Sequence, residues 1–170
     1  GIAGLLCGLT RLLADNADLP AGLYAEFTTP RGTFVAELLY RQAPLTCASF
    51  VGLAEGSIAP RDGKPFYTGL RLYRVVPGFV AQFGISSNPA ITAAWKHEVV
   101  VGDIVKSDNK RGTMAMAMGG RPSQFSTQVF INLKDNPSLR GLGYTPVCEV
   151  GGTGMSVVDK LFSGYEGKPS

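Results

Sequence analysis

The stretch from Leu72 to Gly84 reads LYRVVPGFVAQFG and holds two apolar runs on either side of a Pro77-Gly78 turn. Adjacent proline and glycine reverse the chain, because proline fixes one backbone angle and glycine tolerates the angles of tight turns. We therefore predict one strand over Leu70–Val76 and a second over Phe79–Gly84. Two polar side chains stand within these apolar runs, the guanidinium of Arg74 and the amide of Gln82.

More strands are predicted on both sides of this hairpin. Alternating apolar and polar residues predict a strand over Leu23–Thr29, and the Pro30-Arg31-Gly32 turn leads into a return strand over Thr33–Tyr40. Three later runs are also predicted to be strands: Gly112–Met118, Thr127–Leu133 and Thr145–Val150. The polar sequence GGRPSQFS between the first two of these is expected to be a loop.

Two helices are predicted in the same region. The first opens at Ala43-Pro44 and ends at Gly56, since proline is tolerated in a first turn and glycine commonly ends a helix. The second extends from Gly154 to Gly164. Residues 85–110 are predicted to be irregular, with a short helical turn near Ala90–Trp95.

The order of these elements predicts the fold class. Strands and helices do not alternate as they do in a parallel α/β sheet. Seven or eight short strands with two helices fit an antiparallel barrel whose ends are covered. The composition agrees, because 22 glycines and 11 prolines in 170 residues, with 17% charged residues, exclude a disordered tail, a coiled coil and a long helical bundle.

Several kinds of chemistry are excluded by the residues present. The net charge of +3 is spread along the chain, whereas nucleic-acid binders concentrate basic residues. Zinc sites need closely spaced ligands, and this spacing is absent from His97, Cys7, Cys47 and Cys148. The three cysteines argue against a disulfide framework but allow one disulfide bond. There is no nucleophile elbow, and the glycine-rich GGTG of residues 151–154 lacks the lysine of a phosphate loop. An enzyme with these residues would need no metal, no cofactor and no proton-transfer group.

Three motifs resemble those of the cyclophilin family of peptidyl-prolyl cis–trans isomerases. Leu72–Gly84 resembles the family's stretch from aromatic-His-Arg-Val to Gly-Phe-Met-x-Gln-Gly-Gly. Arg111–Ala117 looks like its Arg-Gly-x-Leu-x-Met-Ala strand, and Thr127–Ile131 is similar to its Ser-Gln-Phe-Phe-Ile. The other predicted elements follow in the family's order, so the resemblance covers Leu23 to Gly164. It implies a closed eight-stranded antiparallel β-barrel capped by two α-helices, with isomerase activity on X–Pro bonds.

The resemblance also implies roles for individual residues. Arg74 matches the family's catalytic arginine and Gln82 its active-site glutamine. The implied substrate-binding residues are Phe79, Val80, Ala117, Gln128, Phe130, Leu139 and Tyr144. Of these, Phe79, Val80, Phe130 and Leu139 match the walls of the proline pocket.

This residue set suits the chemistry of prolyl rotation. Amide resonance gives the peptide bond a barrier of about 18–20 kcal/mol, and twisting frees the nitrogen lone pair to accept a hydrogen bond. A guanidinium can donate that bond without changing protonation state, which suits Arg74. The twisted amide is less polar than the planar one, so an apolar pocket favours it.

The sequence departs from the family pattern at several positions. Tyr73 replaces a histidine, Val80 a methionine, and Phe83 the first glycine after Gln82, where we expect a stiffer or displaced backbone. Met118-Gly119 stands in place of a common Asn-Ala pair, from which we expect little loss. Ser138 occupies a position that often holds tryptophan and helps to bind cyclosporin. We therefore expect weak or no cyclosporin binding, with activity retained.

Two other functions are compatible with a barrel of this kind. The groove could hold a proline-containing partner without turnover, as a binding module or chaperone. Arg74 and Gln82 favour the enzyme, because a binding module needs no donor aimed at the prolyl nitrogen. A hollow ligand-carrying barrel is disfavoured by the bulky interior candidates Phe27, Phe34 and Met116. We expect a monomer that acts on proline-containing peptides and unfolded segments, without nucleic acid and without a membrane span.

Residues 1–22 are predicted to be an appendage to a domain that covers residues 23–170. The apolar residues of GIAGLLCGLTRLLAD fit an amphipathic helix, and the linker-like DNADLPAG follows. The segment could also be the remnant of a secretion signal, although no positive residues precede its apolar part. We expect export to the periplasm, an organelle lumen or the exterior rather than a cytoplasmic location.

Overall fold

A computed structural model describes residues 9–13, 19–20, 22–58, 64–103, 107–121 and 124–162. Nine strands of these described residues form one sheet, and every strand pairing is antiparallel. The strands are β1 (Leu9–Leu13), β2 (Tyr24–Thr29), β3 (Gly32–Leu38), β4 (Arg74–Val76), β5 (Val80–Phe83), β6 (Val100–Val101), β7 (Thr113–Arg121), β8 (Gln124–Asn132) and β9 (Pro146–Val150). The prediction of a mainly β, antiparallel fold is confirmed.

The strand order is β1-β2-β3-β9-β7-β8-β5-β4, and β6 pairs separately with β8. Within the described residues β4 and β1 do not pair, so this part of the chain forms an open sheet rather than a closed eight-stranded barrel. Two features account for the difference between this open sheet and the predicted closed barrel. β1 occupies the edge of β2 at which a barrel would continue, and β4 is only three residues long.

The helices are α1 (Pro44–Glu55), α2 (Pro89–Trp95), α3 (Ser138–Gly141) and α4 (Gly154–Phe162). α1 and α4 confirm the two predicted helices, and α2 confirms the helical turn predicted near Ala90–Trp95. The N-cap residue of α1 is Ala43, whose side chain cannot accept a hydrogen bond from the first turn of the helix. Asp103, which is distant in sequence, accepts that bond instead. The amide of Thr46 donates to Oδ2 of Asp103 at 2.8 Å, and the amide of Asp103 donates back to Oγ1 of Thr46 at 2.9 Å. This carboxylate also lies favourably at the positive end of the helix dipole.

A core of aromatic side chains fills the space between one face of the sheet and α1. Phe27 stacks on Phe34 with ring centroids 4.9 Å apart, and Phe83 meets the edge of Phe27 at 6.3 Å. Tyr67 joins Phe83 to Phe50 of α1 and donates its hydroxyl to the carbonyl of Thr127. Phe27, Phe34 and Met116 are buried as expected, and this filled interior is unlike that of a hollow ligand-carrying barrel.

Three predicted elements differ from the structure. The polar loop predicted after Met118 is wrong over most of its length, because β7 and β8 continue through it with register shifts at Met116/Met118 and Met118/Arg121. The strand predicted over Leu70–Val76 forms only at Arg74–Val76. The amino-terminal helix is wrong over Leu9–Leu13, where the backbone pairs with β2 instead. Residues 1–8 and 14–18, on which the signal-remnant alternative also depends, lie outside the described residues.

Among the described residues, no helix has the length and apolar character needed to cross a membrane. Cys47 and Cys148 are free, buried thiols, and Cys7 lies outside the described part of the chain. Burial raises the pKa of Cys47 to about 12 and that of Cys148 well above its usual value. Burial also raises the pKa of Tyr67 well above its usual value.

These three buried groups predict a loss of stability at alkaline pH. The folded protein keeps protons that the unfolded chain releases, so the free energy of unfolding falls as pH rises above about 8.5, the ordinary thiol pKa. We expect the urea midpoint to be constant from neutral pH to that point and to fall steadily beyond it. In a variant with Cys47→Ala and Cys148→Ala, the fall should begin nearer to about pH 10, the ordinary tyrosine pKa. A midpoint that stays constant through both values would contradict this prediction.

Candidate functional site

A groove of about 420 Å³ lies where β4, β5, β7 and β8 meet the segment from α3 to Tyr144. All nine site residues that the sequence predicted line it: Arg74, Phe79, Val80, Gln82, Ala117, Gln128, Phe130, Leu139 and Tyr144. Met118 and Leu142, which the sequence analysis did not include among the site residues, also line it. Arg74 is the only charged residue of this lining among the residues described.

The strand register places the central groove residues in one row. Arg74 of β4 pairs with Gln82 of β5, Gln82 pairs with Phe130 of β8, and Phe130 pairs with Ala115 of β7. Paired residues of neighbouring antiparallel strands project from the same face of a sheet. The row therefore changes from polar to apolar across four strands, and a ligand lying over it contacts both halves.

Hydrogen bonds hold the polar half in place. Nη1 of Arg74 donates to Oε1 of Gln82 at 3.2 Å, and Nε2 of Gln82 donates to Oε1 of Gln128 at 2.9 Å. Gln82 is only 9% exposed, whereas Arg74 is exposed. A guanidinium carries five N–H donors, so the bond to Gln82 orients the group without using all of its donors.

Tyr73, which replaces the family's histidine, also belongs to the polar half. Its hydroxyl donates to Oε1 of Gln128, so this oxygen accepts bonds from two side chains. Burial raises the pKa of Tyr73 to about 12, although the nearby charge of Arg74 acts in the opposite direction. The phenol is therefore a neutral donor at physiological pH, and it fixes Gln128 rather than exchanging protons.

The apolar half is a small cluster separate from the main core. Its buried members are Val80, Ala115, Phe130 and Leu139, against which Phe79, Ala117 and Tyr144 pack. The rings of Phe130 and Tyr144 meet edge to face with centroids 5.3 Å apart. This arrangement leaves an apolar hollow beside the guanidinium, of a chemical character suited to a proline ring.

Three buried asparagines that the sequence analysis missed support this hollow from behind. Asn136 donates to the carbonyl of Phe79 at 3.1 Å and to Oδ1 of Asn132 at 2.9 Å. Asn132 donates to Oδ1 of Asn109, which in turn donates to the carbonyl of Tyr144 at 3.1 Å. They fix the backbone of two pocket walls. A single sequence gives no signal that separates such asparagines from those of an ordinary turn.

The departure at Phe83 leaves the site intact. Phe83 stays in β5, pairs with Val129, and faces the core on the opposite side of the strand from Gln82. The strand pairing is therefore regular at this position, and the positive φ of +109° falls on Gly84, the next residue.

The described residues around this groove include neither a cluster of metal ligands nor a histidine. In the residues that the structure describes, no group of three or more His, Cys, Asp or Glu side chains could hold a metal ion. His97 is exposed just after α2, as the sequence analysis expected, and does not line the groove. What the arrangement offers a ligand is a fixed positive donor beside an apolar hollow.

Comparisons with known proteins identify the relatives of this chain. The family model described as cyclophilin type peptidyl-prolyl cis-trans isomerase/CLD matches residues 24–169. A peptidyl-prolyl cis-trans isomerase of Helicobacter pylori is 33% identical over 149 residues, covering 86% of this chain and 85% of that protein. Peptidyl-prolyl cis-trans isomerase B of Escherichia coli is 33% identical over 143 residues, covering 79% and 81%.

Solved structures show the same fold. The crystal structure of a cyclophilin type peptidyl-prolyl cis-trans isomerase from Cryptosporidium parvum superposes with a TM-score of 0.66 at 20% identity, covering 86% of this chain and 87% of that one. A second structure of that protein, determined in the presence of the dipeptide Ala-Pro, gives a TM-score of 0.65 at 19% identity, covering 85% and 87%.

Proposed function

Because this chain belongs to the cyclophilin-type peptidyl-prolyl cis–trans isomerase family, we propose that it accelerates rotation about X–Pro bonds in flexible or unfolded protein segments. One observation carries the proposal. The guanidinium of Arg74 is held by Gln82 at the edge of the apolar hollow, in register with Phe130. A donor at this place meets the nitrogen of a proline whose ring fills the hollow.

The proposed mechanism uses the change in the amide during rotation. The planar X–Pro bond delocalises the nitrogen lone pair, and rotation through about 90° returns that pair to the nitrogen. Arg74 then donates a hydrogen bond that the ground state cannot accept well, so this bond lowers the barrier. A charge-assisted bond contributes about 1.5–3 kcal/mol, a factor of roughly ten to a hundred and fifty in rate.

The remaining site residues bind and position the substrate in this proposal. Phe79, Val80, Phe130 and Leu139 enclose the proline ring and favour the less polar, twisted amide. Gln82 positions Arg74, while Gln128, Ala117 and Tyr144 bind the flanking peptide. Support for proline-peptide binding comes from the Cryptosporidium parvum protein, whose structure was determined in the presence of Ala-Pro. The reaction breaks no covalent bond and uses no cofactor or metal.

We also propose a monomer built on the family's closed eight-stranded barrel. One chain supplies all nine predicted site residues, so the proposed site is complete without a second copy. The continuous strand order from β2 to β4, with the aromatic core on one side, supports this barrel, and its closure would require β4 to reach the edge of β2 that β1 occupies in the described residues.

Exchange spectroscopy by NMR on a short Ala-Pro peptide tests the proposed function. Uncatalysed exchange takes tens to hundreds of seconds. A substoichiometric amount of protein should therefore broaden the cis and trans signals of the peptide or produce exchange cross-peaks between them. Binding of the peptide without any acceleration of exchange would select the non-catalytic module and reject the enzyme.

Cyclosporin should inhibit the protein weakly, and Ser138→Trp should increase the inhibition. Ser138 is exposed on α3, next to the pocket residue Leu139, and offers little apolar surface. Covering a large aromatic side chain contributes about 1.5–3 kcal/mol, so tryptophan should lower the inhibition constant about tenfold to a hundredfold. Ser138→Ala is the control and should leave the constant unchanged. Inhibition of the unaltered protein at low nanomolar cyclosporin would contradict the prediction.

A further inference from the structure

Two groove residues have no place in the proposed proline pocket, Met118 of β7 and Leu142 just after α3. Leu142 is 64% exposed, a large fraction for an aliphatic side chain on the rim of a binding groove. Met118 is half-buried, so part of its thioether chain also faces outward. Both side chains therefore present apolar surface to solvent at the groove.

The side chain of Met118 reaches the backbone of Gly143, the residue that follows Leu142. The φ of Gly143 is +93°, and a Cβ built on it would lie 2.8 Å from Cε of Met118, so this methyl group packs against the backbone beside Leu142. The amide of Gly143 donates to the carbonyl of Arg140, and that of Tyr144 donates to Leu139. These bonds tie the Leu142 segment to α3, so the apolar patch of Met118 and Leu142 is held at a fixed place on the rim.

The surroundings of the patch define its occupant. Tyr144, which packs against the proline pocket, lines the same groove as Met118 and Leu142, so the patch continues the substrate surface. The described lining contains no carboxylate, and its single charge is that of Arg74. A cationic side chain would find no carboxylate in this lining, whereas an apolar side chain would remove apolar surface from water.

We propose that Met118 and Leu142 form an apolar subsite for a residue flanking proline, so that the protein prefers X–Pro segments with a large aliphatic or aromatic neighbour. This inference rests on the isomerase function proposed above and adds the substrate class. Leucine has three more carbons than alanine, and partial burial of those carbons predicts a kcat/KM about fivefold to tenfold higher for the leucine peptide.

Paired peptides test the subsite, with alanine or leucine placed first before and then after proline. Cis–trans exchange of each peptide is measured by NMR, and the leucine-to-alanine ratio of kcat/KM is compared between variants. Leu142→Ser should reduce the ratio to about one at the flank that shows the preference, while Leu142→Met should retain it. Leu45→Ser is the matched control, because Leu45 is 54% exposed but lies on α1 and does not line the groove.

The outcomes separate this inference from the proposed function. Turnover of every peptide with a ratio near one at both flanks would overturn the subsite and leave the isomerase standing. A preference that Leu142→Ser leaves unchanged, or that Leu45→Ser removes equally, would also overturn it. No turnover of any peptide by the unaltered protein would instead reject the isomerase.

Discussion

Replacing Arg74 with alanine should lower kcat/KM for an Ala-Pro peptide about a hundredfold, with little change in the stability of the fold. The loss corresponds to one charge-assisted hydrogen bond that forms mainly in the twisted transition state. Arg74 is exposed and its described side-chain partner is Gln82, so truncating it leaves no buried charge behind. NMR exchange gives the rate, and thermal unfolding gives the stability.

Binding measurements distinguish the catalytic role of Arg74 from simple peptide binding. If the guanidinium acts on the twisted amide, Arg74→Ala should reduce kcat far more than it weakens peptide binding. Arg74→Lys retains the charge but loses the planar fork that reaches both Gln82 and the substrate, so it should recover only part of the rate. Equal losses in affinity and kcat/KM, with kcat unchanged, would show that Arg74 only holds the ground state.

The site residues were predicted correctly in part because most of them lie on strands, where alternate side chains project from the same face. Alternation along β5 sends Val80 and Gln82 toward the groove and Ala81 and Phe83 toward the core, which follows for any strand once its bounds are predicted. The pairing of Gln82 with Phe130, by contrast, depends on contacts between distant segments. The family resemblance supplied the pocket role of Phe130 but not this pairing, and composition or periodicity alone would have assigned Phe130 to the core.

The errors of prediction lie where local sequence is weak compared with tertiary contacts. LTRLL fits a helical pattern as well as a strand, and the free edge of β2 decides between them by supplying backbone partners. The polar residues of GGRPSQFS indicate a loop, yet register shifts allow β7 and β8 to continue into it. Leu142 was missed for a similar reason, since its position on the groove rim depends on the turn at Gly143.

Replacing Gly84 with alanine should cost about 4 kcal/mol or more of stability, among the largest effects expected of a single substitution. The φ of Gly84 is +109°, and a Cβ there would lie 2.5 Å from the carbonyl oxygen of Thr127 and 2.6 Å from Cα of Gln128. Both contacts are to the backbone of β8, which cannot move aside without losing its pairing with β5. Thr127 also donates its hydroxyl to the carbonyl of Gly84 at 2.9 Å, which holds the two strands together.

Gly78→Ala is the control that separates the two effects of Gly84→Ala, the steric contact of the new Cβ and the strain of a positive φ. Gly78 also has a positive φ, +66°, but among the described residues no atom outside its own chain neighbours lies within 4 Å of the position its Cβ would take. Its replacement should therefore cost only about 1 kcal/mol, the strain of an alanine in the left-handed region. For a chain of this length, the melting temperature should fall by about 10 °C for Gly84→Ala and by about 3 °C for Gly78→Ala. Equal losses for the two variants would mean that β5 and β8 can separate at Gly84, contrary to the close backbone approach described for this strand pair.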